Sequence, residues 1–222
     1  MRIIDITHGF YENMPAYPAS WYPRFAVHTI MAPETDPARA GRTFTRLELF
    51  AHNATHVDVP SHFYKDGATL DQVPLTRFIG RTCVADLSSK PLASPVTGED
   101  LEQAVGPYFR PGDRLLIRTD HLHRYWGKPE FWECPPYLTA SAAQWAVDHD
   151  AALVGLDCLT EKSGDRSFPV HKLLLGAGIP ILEYITDLHK ITRPVVHLMA
   201  LPTKIHGVEA APVRALVLEG VE

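Results

Sequence analysis

Residues 52–62 read His52-Asn53-Ala54-Thr55-His56-Val57-Asp58-Val59-Pro60-Ser61-His62, which places three histidines and an aspartate within eleven positions. Neutral imidazole and carboxylate together are the ligand set of zinc, manganese or iron sites that do chemistry. No cysteine takes part, which argues against a closed structural zinc cage. The density of ligand-type residues speaks for metal-assisted hydrolysis rather than a chance run of polar loop residues. The spacing also constrains the backbone. All four residues sit at even positions, so an extended chain would point them to one face. A straight strand would still hold His52 and His56 roughly 13 Å apart at about 3.3 Å per residue, too far for one ion. A helix would join His52 to His56 but swing Asp58 away, and Val57, Val59 and Pro60 disfavour one. The stretch therefore predicts a strand ending near Ala51, a tight bend through Asn53-Ala54-Thr55, and an extended segment carrying His56 and Asp58 side by side.

Outward from the motif, 222 residues with 45% hydrophobic composition suit one domain, 1–222, or one domain with an arm. A formal net charge of −5 and the lack of any basic run argue against nucleic acid as the main partner. No apolar stretch approaches the roughly 20 residues of a membrane span. Met1-Arg2-Ile3-Ile4-Asp5-Ile6 lacks a signal-peptide layout. Cys83, Cys134 and Cys158 are scattered and odd in number, which suits a reducing cytoplasm and buried filler roles. Between Asn13 and Pro37 lie prolines 15, 18, 23, 33 and 37 with Trp21 and Tyr22. This proline-rich N-terminal arm reads as irregular and partly extended, and its aromatic groups call for burial on another subunit or over the site.

Alternation and turn residues predict strands over Ile3–Thr7, Phe25–Ile30, Phe44–Ala51, Thr82–Leu87, Arg114–Thr119, Ala152–Leu156, Ile181–Tyr184, Val195–Leu201 and Val213–Leu218. Thr97 with Glu99 and Asp100 opens a helix to about Val105. Ser141 with Gln144 resembles a capping box for a helix ending near His149. Ser167-Phe168-Pro169 starts a third, closed by Gly176 or Gly178. The fold class is α/β and rich in strand.

The rest of the ligand set must come from elsewhere. His8, His28, His121, His123, His149, His189, His197 and His206 show no partner pattern and default to surface or hydrogen-bonded structural histidines. His171 differs, because it opens the third helix and Glu183 lies in the apolar strand that follows. A carboxylate there is costly unless paired or metal-bound; the other reading is a solvent-facing residue on an edge strand. The helix advances roughly 9–12 Å and the strand returns about 10–13 Å, which sets Glu183 level with His171.

These residues together resemble the cyclase family of metal-dependent hydrolases, to which bacterial kynurenine formamidases belong. Its signature, approximately H-x-G-T-H-x-D-x-P-x-H, matches residues 52–62 except that Ala54 stands where glycine is usual. The likeness continues through Phe63–Pro74, Asp5-Ile6-Thr7, Met14–Pro18, Tyr125-Trp126-Gly127, Pro136-Tyr137-Leu138, Val154–Asp157, His171–Leu175 and Ile181-Leu182-Glu183. Asp120 also stands where a glycine is expected after Arg118-Thr119. The resemblance implies a swivelling β/β/α fold, homodimers or homotetramers that exchange arms, and a centre of one or two divalent ions, zinc first and manganese second. It implies that His52, His56 and Asp58 hold one ion, that Asp58 bridges to a second held also by His171 and Glu183, and that His62 is the acid/base.

His62 is adjacent to the implied ligands yet surplus to them, so it suits proton transfer with an ordinary pKa of about 6.5; the alternatives are a fifth ligand or a hydrogen-bonding support. Metal-activated hydroxide would attack a small-molecule substrate carbonyl. N-formylkynurenine is the substrate implied by analogy, cleaved at its C–N amide bond. A cyclic amide or lactone such as isatin would use the same chemistry. Trp21, Tyr22, Phe63, Tyr64, Tyr125, Trp126, Phe131, Trp132 and Tyr137 could wall an aromatic pocket or serve as core or interface. A competing class is a non-catalytic metal- or small-molecule-binding protein, which would not need His62.

Overall fold

The computed structural model describes residues 1–32 and 42–221. Among them the strands are β1 (Arg2–Asp5), β2 (Ala26–Met31), β3 (Phe44–Glu48), β4 (His56–Asp58), β5 (Ile79–Asp86), β6 (Pro95–Val96), β7 (Arg114–Arg118), β8 (Tyr137–Leu138), β9 (Leu153–Leu156), β10 (Ile181–Glu183), β11 (Val195–Pro202) and β12 (Ala210–Glu219). The helices are α1 (Gly98–Val105), α2 (His121–Tyr125), α3 (Glu130–Glu133), α4 (Ala140–Asp148) and α5 (Pro169–Gly176).

Strands β5, β7, β9 and β10 are parallel neighbours, and the chain between them passes through α1, α4 and α5. Helices make such connections because a parallel partner needs a long crossover. The sheet runs β1-β12-β11-β5-β7-β9-β10-β4, and β4 pairs back onto β12. Seven strands thus close into a barrel, with β1 added outside β12. Period-two alternation divides the core. Leu115, Ile117, Val154 and Leu156 pack toward the helices with Leu101, Trp145 and Leu174. Leu116, Leu153, Val57, Val59, Leu182 and Val217 fill the opposite side, inside the barrel. Space there is tight, since a Cβ at Gly155 would meet Leu116 at 2.7 Å.

The nine expected strands all occur, with the Phe44 strand ending at Glu48 rather than Ala51. Thr97 caps α1 as expected, its hydroxyl accepting from the Asp100 amide at 3.2 Å. The expected cap of α4 is corrected: Thr139, not Ser141, accepts from the Ala142 amide. Ser141 Oγ instead accepts from the Gly98 amide and ties α4 to α1, while Gln144 bonds Asp148. Of the arm expected over 13–37, residues 33–37 lie outside the described residues. The remainder holds strand β2, paired antiparallel with β3 and largely exposed. Its earlier aromatic residues lie on the chain near the motif: Tyr17 packs edge-on against Trp132, and Tyr22 donates to the His52 carbonyl at 2.6 Å. No described helix is long and apolar enough to cross a membrane.

Candidate metal centre

Strand β4 lies between β10 and β12, with His56 opposite Glu183 and Asp58 opposite Ile181 and Ala210. Val57 and Val59 enter the barrel, so alternation turns His56 and Asp58 to the helix side. The bend before β4 is made at Ala54, whose φ is 54°. This is the left-handed region in which glycine is at ease and alanine is not. Thr55 secures the bend, its amide donating to the His8 carbonyl and its hydroxyl to the Tyr184 carbonyl. The turn brings the His52 ring to 5.2 Å from that of His56. Asp120, the other residue standing for a glycine, also has positive φ, 59°.

Five side chains singled out in the sequence gather around Asp58, the sixth. Asp58 Oδ1 lies 3.0 Å from His52 Nδ1 and 3.3 Å from His56 Nε2. Asp58 Oδ2 lies 3.8 Å from both His62 Nε2 and His171 Nε2. Glu183 reaches His56 Nε2 at 3.4 Å and His171 Nε2 at 3.5 Å. Two groups have ligand atoms close enough to share an ion, one of His52, His56 and Asp58, the other of Asp58, His62 and His171. The side chain of His62 is 27% exposed against 0% for His56 and 1% for Asp58, so His62 is the member of the cluster most open to solvent.

Partners outside this set aim the imidazoles. His56 Nδ1 meets the Ala54 carbonyl at 3.0 Å. A carbonyl only accepts, so Nδ1 carries the proton and Nε2 presents its lone pair to the centre. His171 Nδ1 lies 3.0 Å from Glu161 Oε1, which also accepts from the amides of Val170 and His171. His52 Nε2 lies 3.1 Å from Glu209 Oε1, and Thr160 Oγ1 donates to Glu183 Oε1. Glu161, Glu209 and Thr160 were not foreseen. Only Glu161 left a signal: Phe168 before Pro169 offers no side-chain oxygen to cap α5, so the first amides need an acceptor from elsewhere.

His56 Nε2 and Asp58 Oδ1 are buried and have no hydrogen-bond partner, since their close contacts lack hydrogen-bond alignment. Burying such groups unpaired is costly, and lone pairs aimed at a common point rather than at one another fit a cation. Burial opposes charge at Asp58, Glu183, His52 and His171, yet the mutual field prevails there. Asp58 is held well below the usual carboxylate range by the neighbouring imidazoles, and Glu183 is lowered through His171. Against burial, the carboxylates of Asp58 and Glu209 raise His52 to about 9. Glu161 and Glu183 likewise raise His171 to about 10. His62 moves the other way, lowered chiefly by burial. Positive charge is thus favoured where the carboxylates converge, and the histidine and carboxylate donors suit a divalent ion.

Aromatic rings flank the centre. Tyr184 lies 5.6 Å from the His56 ring, with Trp126, Phe131 and Trp132 beyond it, and Phe63 stacks on His171 at 5.2 Å.

The family model described as putative cyclase matches residues 4–161. A kynurenine formamidase of Salinibacter ruber (strain DSM 13855 / M31) is 31% identical over 172 residues, 77% of each chain. A solved structure described as a potential metal-dependent hydrolase with cyclase activity is 27% identical, covering 97% of this chain and 96% of its own, with a TM-score of 0.80. Isatin hydrolase A from Labrenzia aggregata, bound to benzyl benzoate, is 25% identical, covering 97% and 93%, with a TM-score of 0.84.

Proposed function

The chain belongs to the cyclase family, and from that membership we propose that it is a metal-dependent hydrolase cleaving the C–N amide bond of a small aromatic substrate, an arylformamide such as N-formylkynurenine. The observation that carries the reading is the convergence of His52, His56, Asp58, His171 and Glu183 around two buried, unpartnered ligand atoms. These five residues would hold one or two ions, zinc before manganese on their mixed nitrogen and oxygen donors. The chemistry supplied there by a bound divalent ion is polarisation of the carbonyl and acidification of water, toward a pKa of about 7.

The protein's own residues do the rest. The Ala54 carbonyl and Glu161 fix the imidazoles of His56 and His171, and Thr160 fixes Glu183. His62, lowered by burial and thus neutral near pH 7, accepts the proton of the attacking water. It returns that proton to the departing amine, so formate and the free arylamine leave. Tyr184, Trp126 and Trp132 offer faces for the aryl group.

A second reading, hydrolysis of a cyclic amide such as isatin, is supported by the likeness to isatin hydrolase A. Both reactions present an aromatic carbonyl–nitrogen bond. Elemental analysis of protein purified without chelator, joined to rates on N-formylkynurenine and isatin, tests both. Substrate turnover by fully metal-free protein would overturn the metal-dependent reading, and the rate ratio chooses between substrates.

We further propose that residues 1–222 act as one domain, that the chain assembles as a homodimer or homotetramer, and that it works in the cytoplasm. Exposed Trp21, Ile30, Phe44 and Leu47 support assembly, and the free cysteines support a reducing compartment.

A further inference from the structure

Apart from the Asp58 cluster, a further group of potential metal ligands lies between α2 and the loop that continues from β10. Asp187 has φ 59° and precedes a single 3-10 turn, Leu188–Lys190, which presents His189. His123 projects from α2. One nitrogen from each imidazole and one Asp187 oxygen lie within 4.8 Å of one another. We propose that His123, Asp187 and His189 form a separate metal site in this protein, for a borderline divalent cation of the zinc class, at the surface and independent of the Asp58 centre.

The geometry suits that ligand. His123 Nδ1 and Asp187 Oδ1 are 3.8 Å apart, too far for a hydrogen bond. Bonds of about 2.1 Å in a tetrahedral site set ligands about 3.4 Å apart, so a small side-chain rotation brings the two into range. The two imidazole rings lie 4.1 Å apart and tilted by 37°. His189 Nδ1 is shielded from water and has no hydrogen-bond partner.

The surrounding charges are already engaged. Lys190 Nζ binds Asp187 Oδ2 at 2.7 Å, which turns Oδ1 toward His123. Arg118 and Arg124 are held by Asp120, at 2.8 and 3.2 Å. The His123 side chain is 51% exposed, so an ion reaches the group from solvent. Two imidazoles with one carboxylate select zinc, copper or nickel over magnesium and calcium.

The ligands come from two elements that also bound the main centre. Helix α2 leads into Trp126, which lies 6.1 Å from Tyr184, the residue after Glu183. An ion at His123, Asp187 and His189 therefore fastens α2 to the loop that follows β10.

The test uses zinc and the full chain, stripped by chelator. In a His56→Ala/Asp58→Ala variant, which lacks key donors of the main centre, zinc titration followed by elemental analysis should leave one equivalent bound and raise the melting temperature. Adding His123→Ala or His189→Ala should remove both effects. Zinc binding indifferent to both substitutions, or absent from the doubly substituted chain, overturns the proposal. Should that chain fail to fold, the comparison moves to the otherwise unaltered protein. There His189→Ala must lower the zinc stoichiometry by one equivalent, and an unchanged stoichiometry refutes the site. The proposed hydrolase activity can fail without affecting either result.

Discussion

His56 and Glu183 are direct cross-strand partners of β4 and β10, and their side chains meet with His56 Nε2 3.4 Å from Glu183 Oε2. A backbone register, rather than side-chain adjustment, sets this separation. Replacing Glu183 by glutamine keeps the shape but removes one of the centre's two inner carboxylates. Glu183→Gln and His56→Ala should each lose metal and activity together, read as metal stoichiometry and rate on the same preparations. Either variant retaining full metal would remove that residue from the ligand set.

His62→Ala should behave differently. With proton transfer as its role, the variant should keep its metal and lose about 10²–10⁴-fold in turnover. The group Asp58, His62 and His171 offers the opposing outcome. If metal leaves as readily as from His56→Ala, His62 is a ligand and the proton carrier lies elsewhere.

Glu161 serves both His171 Nδ1 and the first amides of α5. Glu161→Gln retains an amide oxygen for the helix but loses the charge behind the imidazole. Metal affinity should fall by about 10–100-fold, with a stability loss of only about 1 kcal/mol from the weakened cap. Metal competition and thermal melting separate the two effects.

Ala54 tests the departure from glycine. Ala54→Gly relieves about 1–2 kcal/mol of left-handed strain. It also forfeits about 0.8 kcal/mol of buried methyl and adds about 0.5–1 kcal/mol of unfolded-state entropy. The three nearly cancel, so denaturant titration should show a shift within about 1 kcal/mol. Ala54→Val puts a branched side chain at φ 54° in a site only 2% exposed. It should destabilise by more than about 2 kcal/mol.

Acid should loosen α1. Asp100 lies below the usual carboxylate pKa because, against burial, Lys90 at 2.6 Å and the Thr97 amide and hydroxyl hold its anion. A lowered folded pKa gives stability that is present above the unfolded value of about 3.8 and lost as pH falls through the folded value. Melting of the native chain should therefore steepen with acid below about pH 4, relative to Asp100→Asn, whose own curve lacks this component.

The sequence exposed most of the side chains that gather around Asp58 because they sit in one dense motif or, for Glu183, inside an apolar run where a charge is conspicuous. It hid Glu209 because that residue is 157 positions from His52 and belongs to no local pattern. Helices α2 and α3, of five and four residues, are too short to show a 3.6-residue period. The α4 cap moved from Ser141 to Thr139 because Ser141 found a tertiary partner in Gly98. Closure of the barrel, β4 onto β12, joins residues more than 150 positions apart, and alternation within each strand carries no information about it.

That closure also orders events in time. On the ribosome, His56 and Asp58 emerge well before Ala210–Pro212, the residues that flank them in the sheet. At about 5–20 residues per second the delay is roughly 8–30 s. Throughout that interval the donor-rich segment has no strand on that side, and the barrel cannot seal. The mature centre therefore forms well after its motif is made, only once β12 has followed, and a chain stopped before β12 carries its histidines on an unsealed edge.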